Sequence, residues 1–191
     1  MKKSAMLSAA ISNIIRSELD LTNAAVFLRN LQFVRSLIVA TEGIFEAAKC
    51  SAPKGQIRDY LAHHMEEERD HFKWLSEDLG DHAVSAPLMA EAVAMAGSQY
   101  YLIYHFDPVS VLGYMAVLEF FPMIMEKVEE LESIHGENLC RTLRYHAQHD
   151  LDHGSDLREI IDGLSDEQFI GVLNNAMQTA HYMESAIRKM S

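Results

Sequence analysis

The residues of this chain best suited to chemistry are histidines and carboxylates that stand where a helix should be apolar. His64-x3-Glu68-x2-His71 recurs as His146-x3-Asp150-x2-His153, so the same trio occurs twice. At about 100° per residue, these spacings bring three side chains near one helical face, where a carboxylate and an imidazole can grip the same ion. The neighbouring residues mark that face as buried. Leu61, Met65, Phe72, Leu75 and Leu79 share an arc that includes Glu68, and Leu139, Leu143, Leu157, Ile161 and Leu164 share one with Asp150 near its centre. An unpaired carboxylate in such a place costs several kcal/mol or takes up a proton, so it requires a partner, and a cation is one.

Two further helices complete the set. Glu119 is the only charged residue between Pro108 and Met125, and Pro122 behind it removes a backbone hydrogen bond and can bend the helix. On an earlier helix Glu42 shares an arc with Leu28, Leu31, Ile38 and Phe45, while Glu46 lies about 40° away, so Glu42 is preferred. Arg35 and Lys49 fall on that arc too and could neutralise a carboxylate in place of a metal. The expected metal ligands are therefore Glu42, His64, Glu68, His71, Glu119, His146, Asp150 and His153. One carboxylate from each of two helices plus a carboxylate-x-x-His pair from two others is the ligand plan of di-iron and di-manganese bundles. Oxygen and imidazole donors without thiolate suit two iron ions, with manganese–iron or manganese as the alternative, better than a structural zinc.

Each histidine taken alone is more often a hydrogen-bonded core residue than a ligand. Seven polar residues on the apolar faces of three helices, with few cations at hand, are harder to satisfy by salt bridges. His63, Glu66, Glu67, Asp70, His149 and Asp152 lie off the central arcs and are expected to be solvated or to support the ligands. Tyr100, Tyr101, Tyr104 and His105 read as core before pocket lining, and the eleven methionines as adaptable packing. Cys140 has no evident base beside it.

The elements that must position these residues are helices. Four prolines and nine glycines in 191 residues, with apolar residues recurring at three and four, give an all-α class. About seven helices are expected, near 4–17, 20–50, 54–79, 87–105, 109–134, 137–163 and 166–189. Ser51-Ala52-Pro53-Lys54-Gly55 and Gly80 end two of them, Asp107-Pro108 starts the fifth, and Ser165 with Gln168 makes a capping box. Residues 1–191 read as one domain, with 49% hydrophobic residues to build its core. A net charge of -12 without a Lys/Arg stripe argues against nucleic acid. Cys50 and Cys140 form neither a disulfide framework nor a C-x-x-C motif, which fits reduced thiols and a cytoplasmic location. The N-terminal apolar stretch is interrupted by Ser8, Asn13 and Arg16 and reads as a first helix, and the Pro108–Met125 run holds Glu119 and reads as core. No membrane association is expected.

The string His146-Ala147-Gln148-His149-Asp150-Leu151-Asp152-His153 resembles the H-x3-D-x2-H motif of the haem-oxygenase-like diiron oxidases. The run from His64 to Leu75 and the Leu118-Glu119 core resemble the same family in the same order, over roughly residues 60 to 160. The resemblance implies an all-α haem-oxygenase-like bundle of about seven helices and a non-haem diiron oxidase or oxygenase that uses reduced iron and O2 on a small organic substrate. It implies His71, Glu119, His146, Asp150 and His153 as ligands, with Glu68 a further or shifting one. The family usually has a Glu on the early helix, where this chain offers Glu42, and some members have Glu where this chain has His64. Haem oxygenase itself is a poor match, because its iron-binding His lies on an early helix and no His precedes His63 here. Expected partners are O2, a small-molecule substrate and a reductase, with no nucleic acid and no membrane; a homodimer is left open. Two other readings are a metal-free thiaminase-like or cofactorless relative of the same fold, working through Cys140 or the tyrosines, and a non-enzymatic ferritin-like iron-binding protein.

Overall fold

Local chemistry sets several of the helix ends. The computed structural model describes residues 1–83 and 89–191, with the side chains of Ala83, Asp150, Leu151 and Asp152 excepted. Among the described residues nine helices follow one another: α1 (Lys3–Ile14), α2 (Ala24–Ser51), α3 (Gln56–Glu67), α4 (His71–Leu79), α5 (Ala90–His105), α6 (Val111–Glu119), α7 (Met125–His135), α8 (Glu137–Asp162) and α9 (Asp166–Met190). Short 3-10 turns occupy Gly80–Ala83 and Pro108–Ser110, and there is no strand among the described residues. The Asn23 side chain accepts from the backbone N–H of Ala25 and Val26 to start α2, and Asp107 accepts from Val109 N ahead of α6. Ser165 and Gln168 form the expected capping box, satisfying two N–H groups at the start of α9.

Two expected helices are broken, and both breaks fall beside candidate site residues. The 54–79 segment divides into α3 and α4 at residues 68–70, where Asp70 adopts φ 71°, the one described non-glycine residue with positive φ. No Pro or Gly announces this break; aspartate is among the few residues that enter the left-handed region at modest cost. The 109–134 segment ends α6 at Glu119 and resumes as α7 only at Met125, with Pro122 in the gap. The first helix also stops at Ile14 and the second starts at Ala24, leaving a longer connection than the expected one.

Short α6 sits at the centre. Val111, Leu112, Gly113, Tyr114, Met115, Ala116, Val117 and Glu119 are all buried, as a helix apolar all round must be. It packs on α9 at Gly113, where an added Cβ would lie 2.2 Å from the Val172 carbonyl oxygen, so only glycine permits the approach. Around α6, α2 lies against α3, α4 and α5, while α8 lies against α4, α6 and α7. The larger core joins Leu7 and Ile11 of α1, Ile44 and Phe45 of α2, Met115 of α6, Leu157 of α8 and Val172 of α9. A second core of Phe27, Leu31, Leu75, Leu79, Leu131 and Cys140 locks α2, α4, α7 and α8 together. By length and composition α2 could cross a bilayer, yet both cores draw on it and it carries Arg29, Arg35, Glu42, Glu46 and Lys49.

Candidate metal centre

The repeated trios converge, but each is divided between two clusters. His64, Glu67 and His153 each bring a ligand atom within 4.8 Å of the others, and so do Glu68, His71 and His146. The pairing of His64 with His153 and of His71 with His146 reverses the sequence order, as expected where the α3–α4 segment and α8 run antiparallel. On α8 the two histidines stand seven residues apart, about 10 Å along the axis, so that one helix reaches both clusters. Imidazole centroids are 5.1 Å apart within each pair. His71 Nδ1 lies 2.9 Å from Glu68 Oε2, and His153 Nε2 lies 3.5 Å from Glu67 Oε2. Glu119 enters from the end of α6 with Oε1 3.1 Å from His64 Nε2.

Local structure explains why these groups meet. The break after Glu67 lets consecutive carboxylates, Glu67 and Glu68, serve different clusters. Gly154, next to His153, lets the end of α6 close on α8: a Cβ there would sit 3.1 Å from the Glu119 carbonyl oxygen. One turn on, Arg158 donates through Nη2 to the Phe120 carbonyl at 3.1 Å and stacks its guanidinium 3.8 Å from the Phe120 ring centroid. These contacts satisfy a carbonyl that the end of α6 leaves without a helical partner.

The donors fit a metal ion. Buried polar atoms nearly always find a hydrogen-bond partner, yet His71 Nε2 and Glu119 Oε2 are buried and have none among the described residues. Each cluster offers two imidazoles and a carboxylate without thiolate, a set suited to iron or manganese. Burial opposes ionisation of Glu68, but the His71 hydrogen bond and the imidazoles of His146, His71 and His64 outweigh it and hold the carboxyl down at about 2. Burial likewise works against the His64 imidazolium, and Glu119 with Glu68 and Glu67 overcomes it, raising the His64 pKa. The carboxylates thus favour the protonated form of His64, and a bound cation would compete for that role. Tyr60 stacks against His64 with centroids 5.8 Å apart, and its hydroxyl is buried without a hydrogen-bond partner among the described residues. Burial, then Glu119, Asp156, Glu67 and Glu68, keep this phenol protonated.

A cavity of about 560 Å³ opens onto the centre, with His64, Glu68, Glu119 and His146 in its wall. From α2 it is lined by Thr41 and Phe45. The expectation for Glu42 is corrected: its side chain is exposed, about 100° round the helix from buried Thr41. The apolar residues of α2 spread widely because it packs on α3 and α4 on one side and α5 on another, so the wheel gave no sharp centre. Glu46 is exposed as well and pairs with Lys49 and Cys50, and Arg35 donates to Ser76 Oγ. The side chain of Asp150 lies outside the described residues, as does that of Asp152. His64, Glu68, His71, Glu119, His146 and His153 are all brought together. Glu67, expected to be solvated or supporting, joins them; no residue type near 68–70 signals the helix break that redirects it. Tyr60 was not singled out either, and only its spacing of four from His64 could have pointed to it. His63 and His149 are exposed, and so are Tyr100, Tyr101 and Tyr104, which line neither the core nor this cavity.

No family model matches the chain, and no curated protein matches it. Among solved structures, it is similar to a TenA homologue from Pseudomonas syringae pv. tomato str. DC3000, with a TM-score of 0.72 at 13% identity over 98% of this chain and 90% of that one. It is also similar to a domain of unknown function with a haem oxygenase-like fold from Shewanella denitrificans OS217, with a TM-score of 0.70 at 12% identity, over 98% and 88% of the two chains. At such identity the likeness carries the fold and no chemistry.

Proposed function

Taking the all-α haem-oxygenase-like fold as the frame, we propose that this chain is a non-haem diiron oxidase or oxygenase acting with O2 on an organic substrate. The observation that carries this reading is the pair of clusters, each of two histidines and a carboxylate around a buried His64 or His71, in which atoms of His71 and the adjoining Glu119 have no hydrogen bond among the described residues. His64, Glu67 and His153 would hold one iron, and Glu68, His71 and His146 the other, with Glu119 beside the first. Bound there, reduced iron would contribute the electrons for O2 activation, a chemistry open to few side chains. The protein supplies the rest. Aliphatic walls around the cavity keep bulk water from the reacting atoms. The Tyr60 phenol packs on His64 and, kept protonated, adds no charge beside it. His71 is fixed in orientation by its Nδ1 contact with Glu68, which directs Nε2 as the ligand atom.

Metal content after anaerobic loading with ferrous iron, followed by O2 consumption, tests the proposal. About two irons per chain are expected, with O2 uptake that a chelator abolishes. Failure to bind iron under any loading condition ends this reading.

A second reading on the fold shared with a TenA homologue is a metal-free thiaminase-like enzyme. Cys140 is a poor nucleophile for it. That residue is fully buried in the smaller core and does not line the cavity, and burial with Glu132 pushes its thiol up to about 11. The tyrosines would have to serve instead. This reading predicts activity that survives chelation.

A further inference from the structure

A group of rings beside the second cluster belongs to neither hydrophobic core. Trp74, the only tryptophan of the chain, and Tyr145 are both half-buried, and neither contributes to the two cores among the described residues. Their rings meet each other and histidines instead. The Trp74 centroid lies 4.7 Å from that of His71 and 5.1 Å from that of Tyr145. Tyr145 is in turn 4.8 Å from His71 and 6.0 Å from His146, and it stacks at 4.1 Å and 19° on the exposed imidazole of His149. A continuous series of ring contacts thus runs from two candidate ligands to an exposed residue. The first cluster has different neighbours. Phe45 is not readily oxidised, and the buried Tyr60 hydroxyl has no hydrogen-bond partner among the described residues to take the proton that oxidation of a phenol releases.

Of the ring side chains, indole and phenol give up a single electron most readily, and rings in contact exchange one far faster than an ordinary enzyme turns over, at about ten cycles per second. Reduction of O2 to water takes four electrons and four protons. Two ferrous ions supply two of the electrons and an organic substrate the other two, so that without substrate two are missing. We infer that Trp74 and Tyr145 form a relay that delivers the missing electrons to the second cluster and so spares its histidines from oxidation. In each passage Trp74 gives one electron to the centre, and Tyr145 refills the indole with one electron while its phenolic proton passes to water. An external reductant such as ascorbate then returns one electron and one proton to the tyrosyl radical. Two passages consume one ascorbate, and two further protons from water complete the reduction. The relay rests on the diiron reading for its oxidant, whereas the coupling between the two rings is a property of the chain itself.

Flash photo-oxidation of the iron-free full chain by a soluble ruthenium bipyridine complex reads that coupling, because the only indole radical that can form is that of Trp74. Its absorption should decay as a tyrosyl signal rises, and Tyr145→Phe should lengthen its life several-fold and remove the rise. The ferrous-loaded chain is then exposed to O2 without substrate, and its oxidised residues are located by peptide mass spectrometry. With ascorbate the parent should stay unmodified; without it, modification should fall on Trp74 and Tyr145. Trp74→Phe should take up iron as the parent does and then lose it over repeated exposures, as His71 and His146 are oxidised. Trp74→Tyr, which loses the same packing but keeps an oxidisable ring, should restore protection. An indole radical whose lifetime ignores Tyr145→Phe, or ligand histidines oxidised as fast in the parent as in Trp74→Phe, overturns the relay. The two proposals fail separately: iron that binds and consumes O2 beside uncoupled rings leaves the oxidase and removes the relay. A chain that binds no iron removes the oxidase and, with it, the oxidant that the relay would serve.

Discussion

At the scale of single residues, the centre is a problem of uncompensated charge solved in antiparallel pairs. His64 and His153 stand with Glu67, His71 and His146 with Glu68, so removing one histidine should affect one metal and spare the other. His71→Ala and His153→Ala are each expected to lower iron from about two to about one per chain by elemental analysis. His63→Ala, with an exposed ring on the same helix as His64, should leave both, and so should Glu42→Gln. Equal loss of iron in His63→Ala would sink the assignment of α3. A second readout comes from Trp74, the only tryptophan of the chain, whose ring centroid lies 4.7 Å from that of His71. Ferrous or cobaltous ion bound at His71 should quench its fluorescence in a saturable titration, and His71→Ala should remove the saturable part. The histidine triplets were legible in the sequence because helical spacing alone puts them on apolar faces. Their division between two clusters was not, because a wheel places residues around one axis and says nothing of which neighbour each one meets.

At the scale of elements, the breaks matter more than the helices. Asp70 keeps a left-handed backbone between Glu68 and His71, and its ion pair with Lys73 is exposed and contributes little. Asp70→Gly should therefore raise the unfolding free energy of the metal-free protein, read from urea titration, by up to about 1 kcal/mol, because glycine adopts this conformation without a Cβ clash. Asp70→Val should lower it by more. The second break is held from α8. Gly154→Ala would press a methyl against the Glu119 carbonyl and force α6 back by a few tenths of an ångström, at a cost of about 1–3 kcal/mol. Iron affinity should fall with it, since Glu119 moves away from His64. An alanine variant with unaltered metal affinity would show that the close approach of α6 does not set the site. Pro122 made the second break readable from sequence, whereas Asp70 carries no such mark, as its preference for the left-handed region is weak and tertiary packing decides it.

For the molecule as a whole, one carboxylate outside the candidate metal clusters ties the segment after the first helix to the last helix. Glu184 of α9 accepts from the backbone N–H and the hydroxyl of Ser17, from Arg188 Nε and from the N–H of Arg16. The Ser17 backbone bond, then its hydroxyl and Arg188, hold this carboxyl at about 2, below its ordinary 4.5. A depressed folded-state pKa means that the unfolded chain binds the proton first. The stabilisation is therefore complete above about pH 4.5 and is lost as pH falls toward about 2. Thermal melts across that window should decline less steeply in Glu184→Gln than in the parent, and parallel declines would remove Glu184 from this role. Iron should act on the same scale: ligand bound only by the folded state stabilises it by about 2.7 kcal/mol at about a hundredfold excess over Kd. The parent should melt higher as iron is added, and a double variant lacking His71 and His153 should not.

The all-α class, the capping box at Ser165, the buried Glu119 and the histidine-bearing apolar faces that meet at the centre followed from the amino-acid sequence alone. They are written in periodicity and residue type, which act over a few residues and survive any arrangement of the helices. What only the tertiary structure decided concerns contacts between distant segments. Glu42 turned out to face solvent because α2 is apolar on more than one side, and its neighbours choose the face. Glu67 entered the centre because α3 ends there, where the apolar pattern predicted an unbroken helix. The cavity at the centre is lined from α1, α2, α6 and α8, and no spacing within a single helix encodes which others will meet it there.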